Sequence, residues 1–266
     1  ALIKIVAHAK SGGDLEVMGL LQGKAKGDTL IILDSYPLPV EGTETRVNAS
    51  ADANIFISQY AELGDDVKRL EAGIGWYHSH PSYGCWLSGI DVATEDIYQR
   101  AGPFVAIVID PIRTMTTGRV EIGAFRTFPE GYVPTRDSKV EQDLVPETKV
   151  EDYGLHRHKY YQIPVSYFKS SLDNTVIETL WNKYWIDTLS NSTISQNKQY
   201  FSETCCDLAK KVNKLMKSNN YNKVITLETL ISKNKSDYKD YLKYSSERTQ
   251  ALIQEAVKGV IFGSKQ

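Results

Sequence analysis

The sequence predicts an α/β (α+β) protein, one sheet with helices on its faces followed by a C-terminal helical segment. Short apolar runs of strand character alternate with helical patterns through the first 160 residues. Sixteen of the 18 glycines fall in that stretch, leaving Gly259 and Gly263 beyond it. The remainder is poor in turn formers and reads as helical. Charge divides at the same place: residues 1–160 carry 16 basic and 23 acidic groups, and the rest 15 and 10.

Taken in order, Leu2–Ala9 is an apolar helical end stopped by Gly12-Gly13. Leu15–Gln22 and Thr29–Asp34 read as strands joined at Lys26-Gly27-Asp28. Pro37 and Pro39 close that hairpin, because proline cannot donate to an interior ladder. Asn48–Leu63 is a helix with a continuation through Val67–Leu70, Ile74–His80 a strand ending at Pro81, and Ser88–Arg100 a helix. Phe104–Ile109 is apolar at every position, the pattern of a central strand, and stops at Asp110-Pro111. Arg119–Phe128 is another strand. Residues 134–152 are polar and acidic without periodicity, which reads as a flexible insertion or linker, and Tyr160–Phe168 returns as a strand. Asp173–Leu189 is a helix on which Leu172, Val176, Leu180 and Trp181 share a face. Phe201–Lys217 and Asp237–Val260 supply two more helices, with the Lys- and Asn-rich stretch Asn213–Lys239 as a solvated connection.

The composition excludes several classes of function. A chain of 266 residues supports one sizeable core plus an appendage. A formal net charge of -2 leaves no global positive field for nucleic acid or anionic membrane. The longest apolar run, near Phe104–Ile109, falls far short of a membrane span. Three cysteines are too few for a disulfide framework, and no secretory leader is read. The expected compartment is therefore reducing, cytoplasm or nucleus. Ala1 opens inside an apolar pattern, which is read as the trimmed start of a longer protein.

The chemistry concentrates between Gly75 and Asp91. His78 and His80 lie two apart, so on a strand both imidazoles point to one face. They are either satisfied edge-strand histidines or two ligands converging on a cation. Asp91 follows at a distance that a loop and one helical turn can close. Two neutral imidazoles and a carboxylate suit Zn²⁺ and leave a fourth position for water. Ser88 with Asp91 also reads as an N-terminal capping box, and one hydroxyl can serve both purposes. Cys85 is either a packed thiol or a fourth ligand that would close the site. A zinc hydrolase needs in addition an acid/base carboxylate that does not ligate the metal. Glu16 interrupts an apolar strand pattern and is either a solvated strand position or that group, its pKa raised by apolar neighbours.

Glu16, His78-Ser79-His80-Pro81 and Ser88-Gly89-Ile90-Asp91 together resemble the complete JAMM motif of the MPN+ metalloproteases, zinc isopeptidases that remove ubiquitin or its relatives from lysine side chains. The segment Leu38–Ala49 looks like the signalosome branch of that family, with Phe125–Tyr132, Tyr167–Asp173 and Leu180–Trp185 extending the likeness over roughly residues 1–190. The resemblance implies a central curved mixed sheet flanked by helices, organised as a catalytic core at 1–135, an insertion and return to the core at 136–168, and assembly helices at 169–266. It also implies that His78, His80 and Asp91 hold one Zn²⁺ per chain, with Glu16 moving protons and Ser88 stabilising the oxyanion. The implied activity is removal of a NEDD-family modifier from cullins, with other signalosome subunits, a partner MPN subunit among them, as companions. A proteasome-lid-type deubiquitinase and a noncatalytic MPN scaffold are the alternatives. Glu44 and Arg46, in the polar loop after Pro39, are expected to regulate the site: Glu44 by taking the open metal position, Arg46 by pairing with Asp91.

Overall fold

The computed structural model describes residues 1–40, 42–43, 51–66, 68, 71–132, 145–190, 197–218 and 235–262. Glu44 and Arg46 lie outside the described residues. The described chain separates into two compact units, one of Ala1–Thr114 with Val120–Ile163 and one of Met115–Arg119 with Pro164–Gln266.

The first unit is built on a six-stranded sheet. Its strands are β1 (Met18–Lys26), β2 (Thr29–Pro37), β3 (Ala72–Ser79), β4 (Val105–Asp110), β5 (Glu121–Thr127) and β6 (Tyr160–Ile163). They lie in the order β2-β1-β3-β4-β5-β6. Every pairing is antiparallel except β3 with β4, where Trp76 pairs with Ala106 and His78 with Val108. A parallel pair needs a crossover, and helix α3 (Gly89–Ala101) lies in this one. β4 is buried at all six positions, as its unbroken apolar run requires. The helices α1 (Leu2–Ser11) and α2 (Ala51–Asp66) precede α3.

Each sheet face carries its own apolar layer. On one, Met18, Trp76, Val108 and Phe125 pack with Leu87, Val92 and Tyr160, and Phe56, Ile57 and Tyr60 of α2 close over them. On the other, Leu21, Tyr77, Ile107 and Ile109 meet Ile5 and Ala9 of α1. Alternation along β3 therefore puts His78 on the same side as Trp76, under α3. Each fully buried apolar side chain in these layers is worth about 1.5–3 kcal/mol, which fixes the register and with it the face on which His78 lies.

Three departures from the sequence reading matter for the site. Glu16 precedes β1 instead of lying within it. Pro111 ends β4 as expected but is also the first residue of α4 (Pro111–Thr117), a position where its fixed φ and missing N–H suit a helix start. The described part of the expected linker is ordered: Glu147–Lys149 form a 3-10 turn that runs into α5 (Val150–His156). Tyr153 of α5 is buried against Trp86 in a small cluster with Tyr83 and Val145.

The second unit contains α6 (Ser171–Ser190), α7 (Lys198–Ser218) and α8 (Lys235–Phe262). Ser170 caps α6 by accepting from Asp173 N at 3.1 Å. Leu172, Val176 and Leu180 are all exposed, but the apolar residues of α6 are spread round the helix instead of forming the expected single face. The side chain of Trp181 lies outside the described residues. α7 packs on α8 through buried Tyr200, Phe201, Leu208 and Ala251. A buried Lys211–Asp240 ion pair at 2.8 Å and a Tyr200–Glu247 hydrogen bond at 2.7 Å fix their alignment. Among the described residues no helix is long and apolar enough to cross a membrane.

Candidate metal centre

His78 and His80 come from the end of β3. The ladder runs one step past the strand, since His80 N donates to Ile109 O at 2.9 Å, and this keeps both rings on one side. Their Nε2 atoms face each other at 2.9 Å. Asp91 Oδ2 lies 3.5 Å from His78 Nε2. One donor atom from each of the three residues falls within 4.8 Å of the other two.

The first turn of α3 aims the carboxylate. Ser88 is the N-cap and Asp91 is N3, and the capping box is complete. Asp91 Oδ2 accepts from Ser88 N at 2.8 Å and from Ser88 Oγ at 2.6 Å, while Asp91 N donates to Ser88 Oγ at 3.4 Å. The cap and the cation site thus use the same carboxylate.

The three donors fit zinc. Nitrogen and oxygen ligands about 2.0–2.1 Å from a tetrahedral ion lie roughly 3.3 Å apart, and the separations of 2.9 and 3.5 Å bracket that value. The His80 tautomer agrees. His80 Nδ1 lies 3.0 Å from the carbonyl of Gly84, which can only accept, so the proton sits on Nδ1 and the Nε2 lone pair faces inward. His78 Nδ1 is buried with no hydrogen-bond partner among the described residues. Burial and the neighbouring His78 hold the His80 pKa well below its ordinary value, which keeps that ring neutral and ligating. For His78 burial also opposes charge, but Asp91 and Glu16 outweigh it and raise the pKa. Burial pushes Asp91 up, yet His78, His80 and Ser88 pull it well below the usual carboxylate range.

Glu16 stands beside this cluster, 4% exposed. Its backbone N donates to Thr43 O at 2.9 Å. The next residue is tied to β3 in both directions, Val17 N to Ser79 Oγ at 3.0 Å and Ser79 N to Val17 O at 2.9 Å. Tyr83 OH donates to Glu16 Oε1. Burial raises the Glu16 pKa, while His78 and the Tyr83 hydrogen bond act against the rise. Glu16 is therefore not a solvated strand position.

A cleft of about 410 Å³ gives access to the cluster. Glu16, His80, Ser88 and Asp91 line one side, and Lys149, Asp152 and His156 the other. A Cβ on Gly89 would meet His156 Nε2 at 2.6 Å, so a larger residue there would require the His156 ring to turn aside. Cys85 belongs to the packing, with its thiol 3.4 Å from Glu121 O.

Sequence reasoning missed several contributors. Tyr83 stacks on His80 at 4.4 Å as well as holding Glu16. Trp76 stacks on His78 at 4.8 Å and donates its Nε1 to buried Glu95 Oε2 at 3.0 Å. Lys149 lies over the Tyr83 ring, 4.9 Å from its centre. The signal for Tyr83 was its position inside the motif loop; Glu95 and Lys149 left none.

Comparison with known proteins agrees with the geometry. Residues 1–103 match the family described as JAB1/Mov34/MPN/PAD-1 ubiquitin protease. The COP9 signalosome complex subunit 5 of Dictyostelium discoideum is 47% identical over 272 residues, covering 100% of this chain and 81% of that protein. The Oryza sativa subunit 5 is 44% identical, with 99% and 76% covered, and the Drosophila melanogaster subunit 5 is 51% identical, with 80% and 65% covered. The His78, His80 and Asp91 cluster is a JAMM-type triad, the mark of a metalloprotease centre. On its fold, its triad and these relatives, the chain belongs to the JAB1/Mov34/MPN/PAD-1 family and closely matches that family's COP9 signalosome subunit 5 members.

Proposed function

We propose that this chain is a zinc-dependent isopeptidase that removes a NEDD-family ubiquitin-like modifier from cullins, acting as the catalytic subunit of a COP9 signalosome. The observation that carries the reading is the convergence of His78, His80 and Asp91, with buried Glu16 outside that cluster but lining the same cleft as His80 and Asp91. The high identity to subunit 5 proteins supports the choice of branch.

His78, His80 and Asp91 would hold the ion. Bound zinc supplies Lewis-acid polarisation of the scissile carbonyl and acidifies water. The chain's own residues do the rest. Glu16, made more basic by burial while the hydrogen bond from Tyr83 favours its ionised form, takes a proton from water and delivers it to the departing lysine amine. Ser88 stabilises the oxyanion by turning its hydroxyl from Asp91 to the substrate oxygen, while Ser88 N stays on the carboxylate. Glu44 and Arg46 restrain the site in the free chain, and the C-terminal helices bind the other signalosome subunits, a partner MPN subunit among them. Cytoplasm and nucleus are the compartments this activity requires.

The test is a cleavage assay on modifier-conjugated cullin and on ubiquitin chains, with the protein alone and assembled with signalosome subunits. Release of the modifier from cullin by the assembled protein, abolished by His78→Ala, is expected. Preferential cleavage of ubiquitin chains would favour the proteasome-lid-type reading, and inactivity on both substrates with zinc bound would favour a scaffold.

A further inference from the structure

We infer that Asp110 is a positioning residue for the metal centre, its carboxylate clamping the turn after β3 and through that turn aiming both His80 and Tyr83. The inference rests on the reading of His80 as a zinc ligand.

Asp110 is the last residue of β4 and has no exposed surface. A buried carboxylate is costly unless its lone pairs are used, and here they serve a helix cap and a turn while buried Arg113 Nε faces Oδ2 at 3.5 Å. Oδ1 accepts from Arg113 N at 2.9 Å, which caps the start of α4, and from Ser82 N at 3.1 Å. Oδ2 accepts from Gly84 N at 3.0 Å. Two amides of a single five-residue turn, 80–84, are thus held by one side chain from the neighbouring strand.

That turn does not hold its shape unaided. Ser82 has φ +74° and Gly84 φ +90°. A left-handed serine is disfavoured by on the order of 1 kcal/mol and persists only where its surroundings over-determine it. The clamp supplies that over-determination. Gly84, whose N–H is fixed by Asp110, presents its carbonyl to His80 Nδ1 at 3.0 Å, so the clamp reaches the ligand through one residue. Tyr83 sits between the two clamped amides, and from there its ring stacks on His80 and its hydroxyl reaches Glu16. Fixing the turn therefore sets the tautomer and plane of one ligand and the donor to the base. Outer groups that orient a ligating histidine in this way typically account for 10–100-fold in metal affinity.

A helix cap alone would also explain a buried Asp before Pro111, and Asp110→Asn separates the two roles. The amide oxygen can still serve Arg113 N and Ser82 N, which leaves an NH₂ group facing the Gly84 N–H. The α4 cap survives while the clamp opens at Gly84 and the ion pair with buried Arg113 is lost, two effects that amide exchange at Gly84 tells apart. Ile112→Val serves as a control that perturbs α4 without touching the clamp. Zinc affinity of the full chain is measured by competition with a chromophoric chelator, beside amide exchange at Gly84. Asp110→Asn is expected to weaken zinc binding 10–100-fold and to speed Gly84 exchange, with Ile112→Val at wild-type affinity. Unchanged affinity in Asp110→Asn, or an equal loss in Ile112→Val, overturns the inference. Should Asp110→Asn fail to fold, the wild-type chain carries the test: fast exchange at Gly84 N–H overturns it, and slow exchange supports it. A wild-type chain that binds no zinc at all defeats the metal reading itself, a different outcome from either.

Discussion

Replacing Glu95 with glutamine should stabilise the protein near neutral pH and leave it unchanged in acid. Glu95 has no exposed surface, accepts from Trp76 Nε1 through Oε2 at 3.0 Å, and has no partner for Oε1 among the described residues. Burial pushes its pKa from an ordinary 4.5 up to about 8, with Trp76 and Arg126 acting in the opposite direction. The folded chain then keeps a proton that the unfolded chain releases at 4.5. Because the native state binds more protons across that interval, this group's contribution is fully present below pH 4.5 and is lost as pH rises to about 8. At about 1.4 kcal/mol per pH unit, the loss at pH 7 amounts to about 3 kcal/mol. Glu95→Gln keeps an oxygen for Trp76 and cannot ionise, so it should recover most of that amount. Urea unfolding followed by tryptophan fluorescence, at pH 4.5 and at pH 7 with zinc chelated in both proteins, reads the difference. Equal differences at the two pH values, or destabilisation at pH 7, would show Glu95 ionised in the folded chain and refute the reasoning.

Three further outcomes are expected. Glu16→Gln should retain one zinc per chain by elemental analysis while turnover falls by about 10²–10⁴-fold; loss of the metal would instead make Glu16 a ligand. Tyr83→Phe removes a donor that lowers the Glu16 pKa, so the acid limb of the pH–rate profile, where activity falls as Glu16 becomes protonated, should move to higher pH; an unmoved limb counts against the hydrogen bond. Glu44→Ala should raise cleavage by the free chain with little gain in the assembled complex, and no gain with zinc in place would dismiss occlusion by that loop.

What the sequence could disclose depended on how far apart the cooperating residues lie. His78, His80, Ser88 and Asp91 are close in the chain, and their spacings match a strand face and a capping box, so local geometry was enough to bring them together. Glu16 could be singled out as an acid in an apolar run, but its place comes from its contact with Tyr83 and from the tie of Val17 to Ser79, which no periodicity encodes. Asp110 looked like a strand stop because Asp-Pro is a common break, and its service to the 80–84 turn crosses between strands. Residues 134–152 looked like a linker because a short helix with mixed polarity has no legible stripe; Val145 within that stretch and Tyr153 just past it are ordered by packing on Trp86 and Tyr83. The helix α6 was legible from its composition, but the single apolar face expected on it is not formed, since its apolar residues are spread round the axis.

The capping box carries one more consequence, for how the centre is assembled. All three metal donors lie between β3 and the first turn of α3, so a chain that has formed only this strand, its loop and its cap already owns the whole ligand set. The base belongs to a different event. Glu16 meets Tyr83 across 67 positions of sequence, a contact that waits for β1 to dock on β3 and close a long loop. The metal donors thus depend on short-range contacts in sequence, whereas the proton acceptor depends on a long-range one.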